Sequence, residues 1–189
     1  MAASMWWTRA RINRLGVIVG CCGFAVAALA WWCPARVILQ GRPVHSVPFH
    51  LAIRLKAPAV WERGQLVEFA VRDLHPYYPA GTPFTKVVTG VEGDRLQLDG
   101  RVFRINGTVI GTALTTDSRG QPAWLYAPQR LPDGACSLET RLPTGLGSAE
   151  CVLPAGTLFV LGVHARSFDS RYIGLVQAAE VKGRVVPLL

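Results

Sequence analysis

The chain has 189 residues, 50% of them hydrophobic and 17% charged, which excludes a disordered tail and fits one domain of ordinary size. Twenty Lys and Arg against twelve Asp and Glu give a net charge of +8. No acidic residue precedes Glu62, and that asymmetry points to a membrane surface before it points to nucleic acid.

The first 14 residues read as a basic cytoplasmic segment carrying Arg9, Arg11 and Arg14. From Leu15 to Ala35 run 21 uncharged residues, with Trp31 and Trp32 near the far edge and Arg36 just beyond. At about 1.5 Å per residue such a run as a helix just crosses a hydrocarbon core of about 30 Å. The arginines favour a cytoplasmic amino terminus, and the tryptophans suit an interfacial belt. A cleavable secretion signal competes through the small-x-small pattern Ala28-Leu29-Ala30, but two Trp residues directly after it suit a peptidase poorly. A buried helix of a soluble protein would seldom begin with three arginines. The expectation is a retained single-pass anchor over 15–35, with residues 36–189 outside the cytoplasm.

Beyond the anchor the pattern is strand-like. Leu66–Val71, Lys86–Val91 and Arg95–Leu98 are short and rich in β-branched or apolar residues, and Asp99-Gly100 and Asn106-Gly107 are hairpin-turn pairs flanking Arg101–Ile105. The stretch 113–154 is broken by Gly, Pro, Ser and Thr and reads as an irregular insertion. Strand pattern resumes at Thr157–Leu161 and near Val181–Leu188. The expected fold is mostly β with one amino-terminal transmembrane helix.

Cys136 and Cys151, 15 residues apart in the irregular stretch, would form a disulfide in an oxidising compartment; two buried thiols are the alternative. The four histidines show no metal-ligand spacing, so no metal site and no cofactor is expected. Residues 36–189 hold seventeen basic and twelve acidic groups, spread without a basic helix or nucleic-acid motif. Anionic phospholipid, attracted by Arg36, Arg42, Arg54 and Lys56, is the expected charged partner, and nucleic acid is not.

Three segments could carry chemistry. Ser46 stands in Pro43-Val44-His45-Ser46-Val47-Pro48, where Pro48 favours extended geometry at Val47. Adjacent strand residues face opposite ways, so His45 is a poor base for it. Lys86 is one of only three lysines against seventeen arginines. Lysine, unlike arginine, becomes a neutral base when burial penalises its charge; at a sheet edge it would merely snorkel. The third segment, Gly162–Gly174, concentrates Ser167, Asp169, Ser170 and Arg171 in a polar corner, with Asp169 free to pair with Arg166 or Arg171.

Ser46-Val47-Pro48, Lys86-Val87-Val88 with Gly90 and Gly93-Asp94, and Ser167-Phe168-Asp169-Ser170-Arg171-Tyr172 with Gly174 resemble, in order and character, the type I signal peptidase superfamily. The Ser-x-Pro form looks closest to its TraF-type branch, the conjugative transfer peptidases that mature a pilus subunit. The resemblance implies a signal-peptidase-like β domain and a serine peptidase with a Ser-Lys dyad, anchored in a bacterial inner membrane with residues 36–189 in the periplasm. By it, Ser46 is the nucleophile and Lys86 the general base. Ser167 orients the lysine, Asp169 and Arg171 support the site as an ion pair, and Ser170 shares their corner. The oxyanion would be held by the Ser46 backbone N–H and a second donor that the sequence does not identify, because Val44 stands where the family often has a hydroxyl. His164-Ala165-Arg166 likewise departs from the housekeeping pattern. The implied substrate is a pilin or secretory precursor entering as an extended strand with small side chains in shallow pockets. Type IV secretion and conjugation components are implied partners. General signal-peptide removal and an inactive, membrane-anchored assembly protein are the alternatives.

Overall fold

The computed structural model describes residues 17, 19–24, 36–39, 47, 49–72, 74–138, 141–143 and 147–188. Two compact units divide the chain, 1–36 and 37–189. In the first, residues 17 and 19–24 are helical, and Val17, Val19 and Phe24 are exposed. Among the described residues no helix is long and apolar enough to cross a membrane. The spanning helix expected over 15–35 is therefore corrected, and with it the single-pass inner-membrane placement and the periplasmic assignment. The physical reason is length: a crossing needs about 20 helical residues, and the helix described among these positions covers only 17 and 19–24. The basic segment 1–14 and the other positions of the 15–35 run lie outside the described residues.

The second unit is mostly β. Seven strands form one sheet: β1 (Arg36–Leu39), β2 (Leu51–Leu55), β3 (Leu66–Ala70), β4 (Pro83–Gly90), β13 (Thr157–Leu161), β14 (Val176–Gln177) and β15 (Val181–Pro187), antiparallel from β2 to β14. Their order is β1-β2-β15-β3-β4-β13-β14. A second sheet combines β5 (Arg95–Asp99), β6 (Val102–Ile105) and β7 (Thr108–Thr112) with β12 (Ser148–Val152), in the order β12-β5-β6-β7. Between β7 and β12 lie two small pairs: β8 (Trp124–Tyr126) with β11 (Arg141–Pro143), and β9 (Gln129–Arg130) with β10 (Cys136–Ser137). The Gly- and Pro-interrupted stretch 113–154 thus carries these four short strands and, near its end, the five-residue β12 that joins the second sheet.

Local chemistry explains the hairpins. Asn106 (φ 50°) and Gly107 (φ 82°) occupy the two left-handed positions that join β6 to β7, a conformation asparagine and glycine adopt most readily. In the second sheet Leu96, Leu98, Phe103 and Ile105 alternate inward, and they pack with Leu125, Leu153, Phe159 and the Cys136–Cys151 disulfide. A second apolar cluster, built on Val67, Phe69, Val88, Leu158 and Val160, underlies the large sheet. Strand alternation on β4 puts Phe84, Lys86, Val88 and Gly90 on its buried face. Because β4 lies between β3 and β13, Lys86 sits inside the sheet and cannot snorkel outward from an edge.

Candidate active site

Lys86 is the one lysine on a buried strand face, opposite Val67 of β3, and only 2% exposed. Its Nζ donates to the Ser167 hydroxyl at 2.8 Å, a contact between residues 81 positions apart. Phe84, two residues earlier on the same face, places its ring centroid 4.8 Å from Nζ. Burial drives the Lys86 pKa down from 10.5 to about 8; Asp169 acts against that shift and Arg171 adds to it. Desolvation wins because, among the described residues, no carboxylate forms an ion pair with the ammonium, so its charge has no full replacement for water. The amine is therefore poised to exchange a proton near neutral pH.

Ser167 belongs to a corner built by the chain leaving β13. Its N–H donates to the His164 carbonyl at 2.9 Å, and the Arg166 N–H donates to His164 Nδ1 at 3.1 Å. Asp169 is fully buried and caps the short helix Ser170–Ile173. It accepts two bonds from the Arg171 side chain, from Nε at 2.8 Å and Nη2 at 2.7 Å, and one from the Gly162 N–H at 3.0 Å. Of the two arginines within reach in sequence, Arg171 is the partner. Burial alone would lower the Arg171 pKa, but the hydrogen bonds and charge of Asp169 raise it, so the guanidinium stays charged. Two opposite charges satisfied this completely form a rigid post at the site. Ser170 does not face Lys86: its hydroxyl accepts the Val160 N–H at 2.8 Å and ties the corner to β13.

The structure thus brings Lys86, Ser167, Asp169 and Arg171 together and places Ser170 behind them. Ser46, its backbone N–H and Val44 lie outside the described residues. Val47 and Phe49, just beyond Ser46, are buried against Ala52 and Val185. Among the described residues no group of three or more His, Cys, Asp or Glu could hold a metal ion.

Other contacts carry no signature in the sequence. Arg171 Nη1 donates to the Thr112 carbonyl at 2.9 Å, and the Leu114 N–H donates to the Tyr172 hydroxyl at 2.8 Å. Together they fasten the chain leaving β7 to the corner that carries Ser167. Asp94 is a second buried hub: its carboxylate takes Arg63 Nε at 2.8 Å, Asn106 Nδ2 at 2.9 Å and the Val91 N–H at 2.9 Å. Burial pushes its pKa up, but Arg63, Val91 and Asn106 outweigh burial and hold it below the ordinary carboxylate value. Gly93-Asp94 was visible in the sequence, but Arg63 lies 31 residues away and no local pattern marks the pair.

The family of signal peptidases, peptidase S26, matches residues 12–189. Among solved structures, a signal peptidase I from Enterococcus faecalis V583 is similar at 21% identity and a TM-score of 0.37, over 67% of this chain and 97% of that one. No curated protein matches significantly. The family match extends to signal peptidases at large and carries nothing specific to conjugation, pilus subunits or type IV secretion, so the TraF-type expectation is corrected to the broader family. With a match spanning nearly the whole sequence and a buried lysine bonded to a corner serine, the chain belongs to the signal peptidase, peptidase S26, family and carries its catalytic domain.

Proposed function

We propose that this chain is a serine endopeptidase that removes signal peptides from exported precursor proteins, with Ser46 as nucleophile and Lys86 as general base. The observation that carries the reading is the buried Lys86 amine, held at 2.8 Å by Ser167 with its pKa lowered to about 8. A neutral amine has two N–H groups and one lone pair. Ser167 engages one N–H, which leaves the lone pair to accept the Ser46 hydroxyl proton as that oxygen attacks the peptide carbonyl. The ammonium so formed then protonates the departing amine, and water hydrolyses the acyl-enzyme by the same proton path. The Asp169–Arg171 pair acts through position, fixing the corner on which Ser167 stands. Nothing in the site narrows the precursor to a pilus subunit, so the broad substrate class is the one proposed.

Incubation of the purified chain with a secretory precursor, followed by product mass measurement, tests the reading. Cleavage at one bond, lost in Ser46→Ala, Lys86→Ala and the charge-preserving Lys86→Arg, is the expected outcome. Full processing by any of the three variants would refute the dyad.

A further inference from the structure

The chain leaving β7 and the segment after β3 enclose, together with the Ser167 corner, a cavity of about 180 Å³. Its wall combines the apolar and aromatic side chains Leu74, Tyr77, Leu114, Trp124, Phe168 and Tyr172 with the polar His75, Asp117 and Arg166, the apolar part being the larger. Ser167, the hydrogen-bond partner of Lys86, lines it as well, so the cavity borders the corner that carries Ser167. Its wall is braced rather than loose. Tyr77 packs on Phe168 with ring centroids 5.0 Å apart and donates its hydroxyl proton to Asp117. Asp117 in turn accepts the N–H groups of Arg119 and Gln121, each at 2.8 Å. The Tyr172 hydroxyl holds Leu114 from the opposite side.

Size and chemistry choose the occupant. A cavity of about 150 Å³ lined by apolar side chains is enough to hold a benzene molecule. A methyl group would leave most of this one without contacts, forfeiting the dispersion that packing supplies. Trp124 is 54% exposed although it lines the cavity, so a large apolar face stands open to an incoming group. We infer that this cavity is a specificity subsite, resting on the peptidase reading above, that takes a bulky apolar or aromatic side chain of the precursor at a position flanking the scissile bond. It departs from the expectation of small side chains in shallow pockets.

The test uses the full chain and a set of extended peptides around one cleavable sequence, with Ala, Leu or Phe placed in turn at each of the three positions on either side of the scissile bond. One position is expected to prefer Phe or Leu over Ala by about tenfold in kcat/KM, equivalent to about 1.4 kcal/mol of transition-state binding. Trp124→Ala, a change at a half-open site, should erase that preference at that position alone. Thr116→Phe, which fills the cavity from an exposed wall position, should turn the preference towards Ala. Lys86-dependent cleavage that favours Ala at every position, or a bulky preference untouched by both variants, would overturn the subsite while leaving the peptidase reading standing. Cleavage that survives Lys86→Ala, or none of any peptide, would overturn both.

Discussion

A buried amine should be held at a cost to stability, and Lys86 makes that cost measurable. Its pKa in the folded chain is about 8 against an ordinary 10.5. Below about pH 8 the native and unfolded chains both carry the proton, and the native state bears the full penalty of a desolvated ammonium. Each unit corresponds to about 1.36 kcal/mol, so the penalty approaches about 3 kcal/mol at pH 7. Between pH 8 and 10.5 the native state releases its proton first, the unfolded chain binds more protons, and stability rises with pH. The penalty falls to about 1.4 kcal/mol at pH 9.5. Lys86→Met keeps the apolar stem and removes the charge. It loses the bond to Ser167, worth about 1 kcal/mol, and should still be more stable than the parent by about 2 kcal/mol at pH 7. That advantage should shrink to near zero at pH 9.5, while peptidase activity is lost at every pH. Urea unfolding of both proteins at the two pH values gives the comparison. A variant less stable than the parent at pH 7, or a difference independent of pH, would refute the claim that burial depresses this lysine.

The activity of the parent should follow the same group: kcat/KM against pH rises through an apparent pKa near 8, and a profile flat from pH 6 to 9 would contradict it. Gly183→Ala would place a methyl carbon 2.1 Å from the Leu55 carbonyl oxygen, in a register where β15 runs between β2 and β3. Since backbone cannot yield there as a side chain could, the variant should lose about 1–3 kcal/mol, read as a lower Tm. Replacing Cys136 and Cys151 together by Ala opens a closed loop of 15 residues and should cost about 3 kcal/mol by chaotropic unfolding; an unchanged midpoint would show that the link is dispensable. Asp94 has a depressed pKa, so its contribution is complete above 3.8 and lost as pH falls through its folded value. Asp94→Asn should therefore flatten the acid limb of the parent's stability curve, which thermal melts from pH 2 to 6 would register.

Much of this molecule is local and therefore written in its sequence. Period-two alternation and two turn pairs identify a β domain, because a strand's inward face and a left-handed turn position each select residue types within a few neighbours. The Ser167–Arg171 corner is legible for the same reason: Asp169 and Arg171 are two residues apart, close enough for one turn to pair them. An uncharged run behaves differently. It says only that lipid would not penalise the segment; the run's composition does not by itself fix how far a helix extends. No helix among the described residues is long and apolar enough to cross a membrane.

Other features belong to tertiary structure alone. Whether Lys86 snorkels or is stripped of water depends on β4 lying between β3 and β13, a neighbour relation that strands distant in sequence create. Arg63 finds Asp94, and Arg171 the Thr112 carbonyl, across separations of 31 and 59 residues. The cavity beside Ser167 draws its wall from segments around residues 75, 115 and 168, none of which marks itself as a wall. Residue type states what a side chain is able to do. Packing decides which solvent it loses and which partner it gains, and those two quantities set both the charge of an amine and the shape of a binding site.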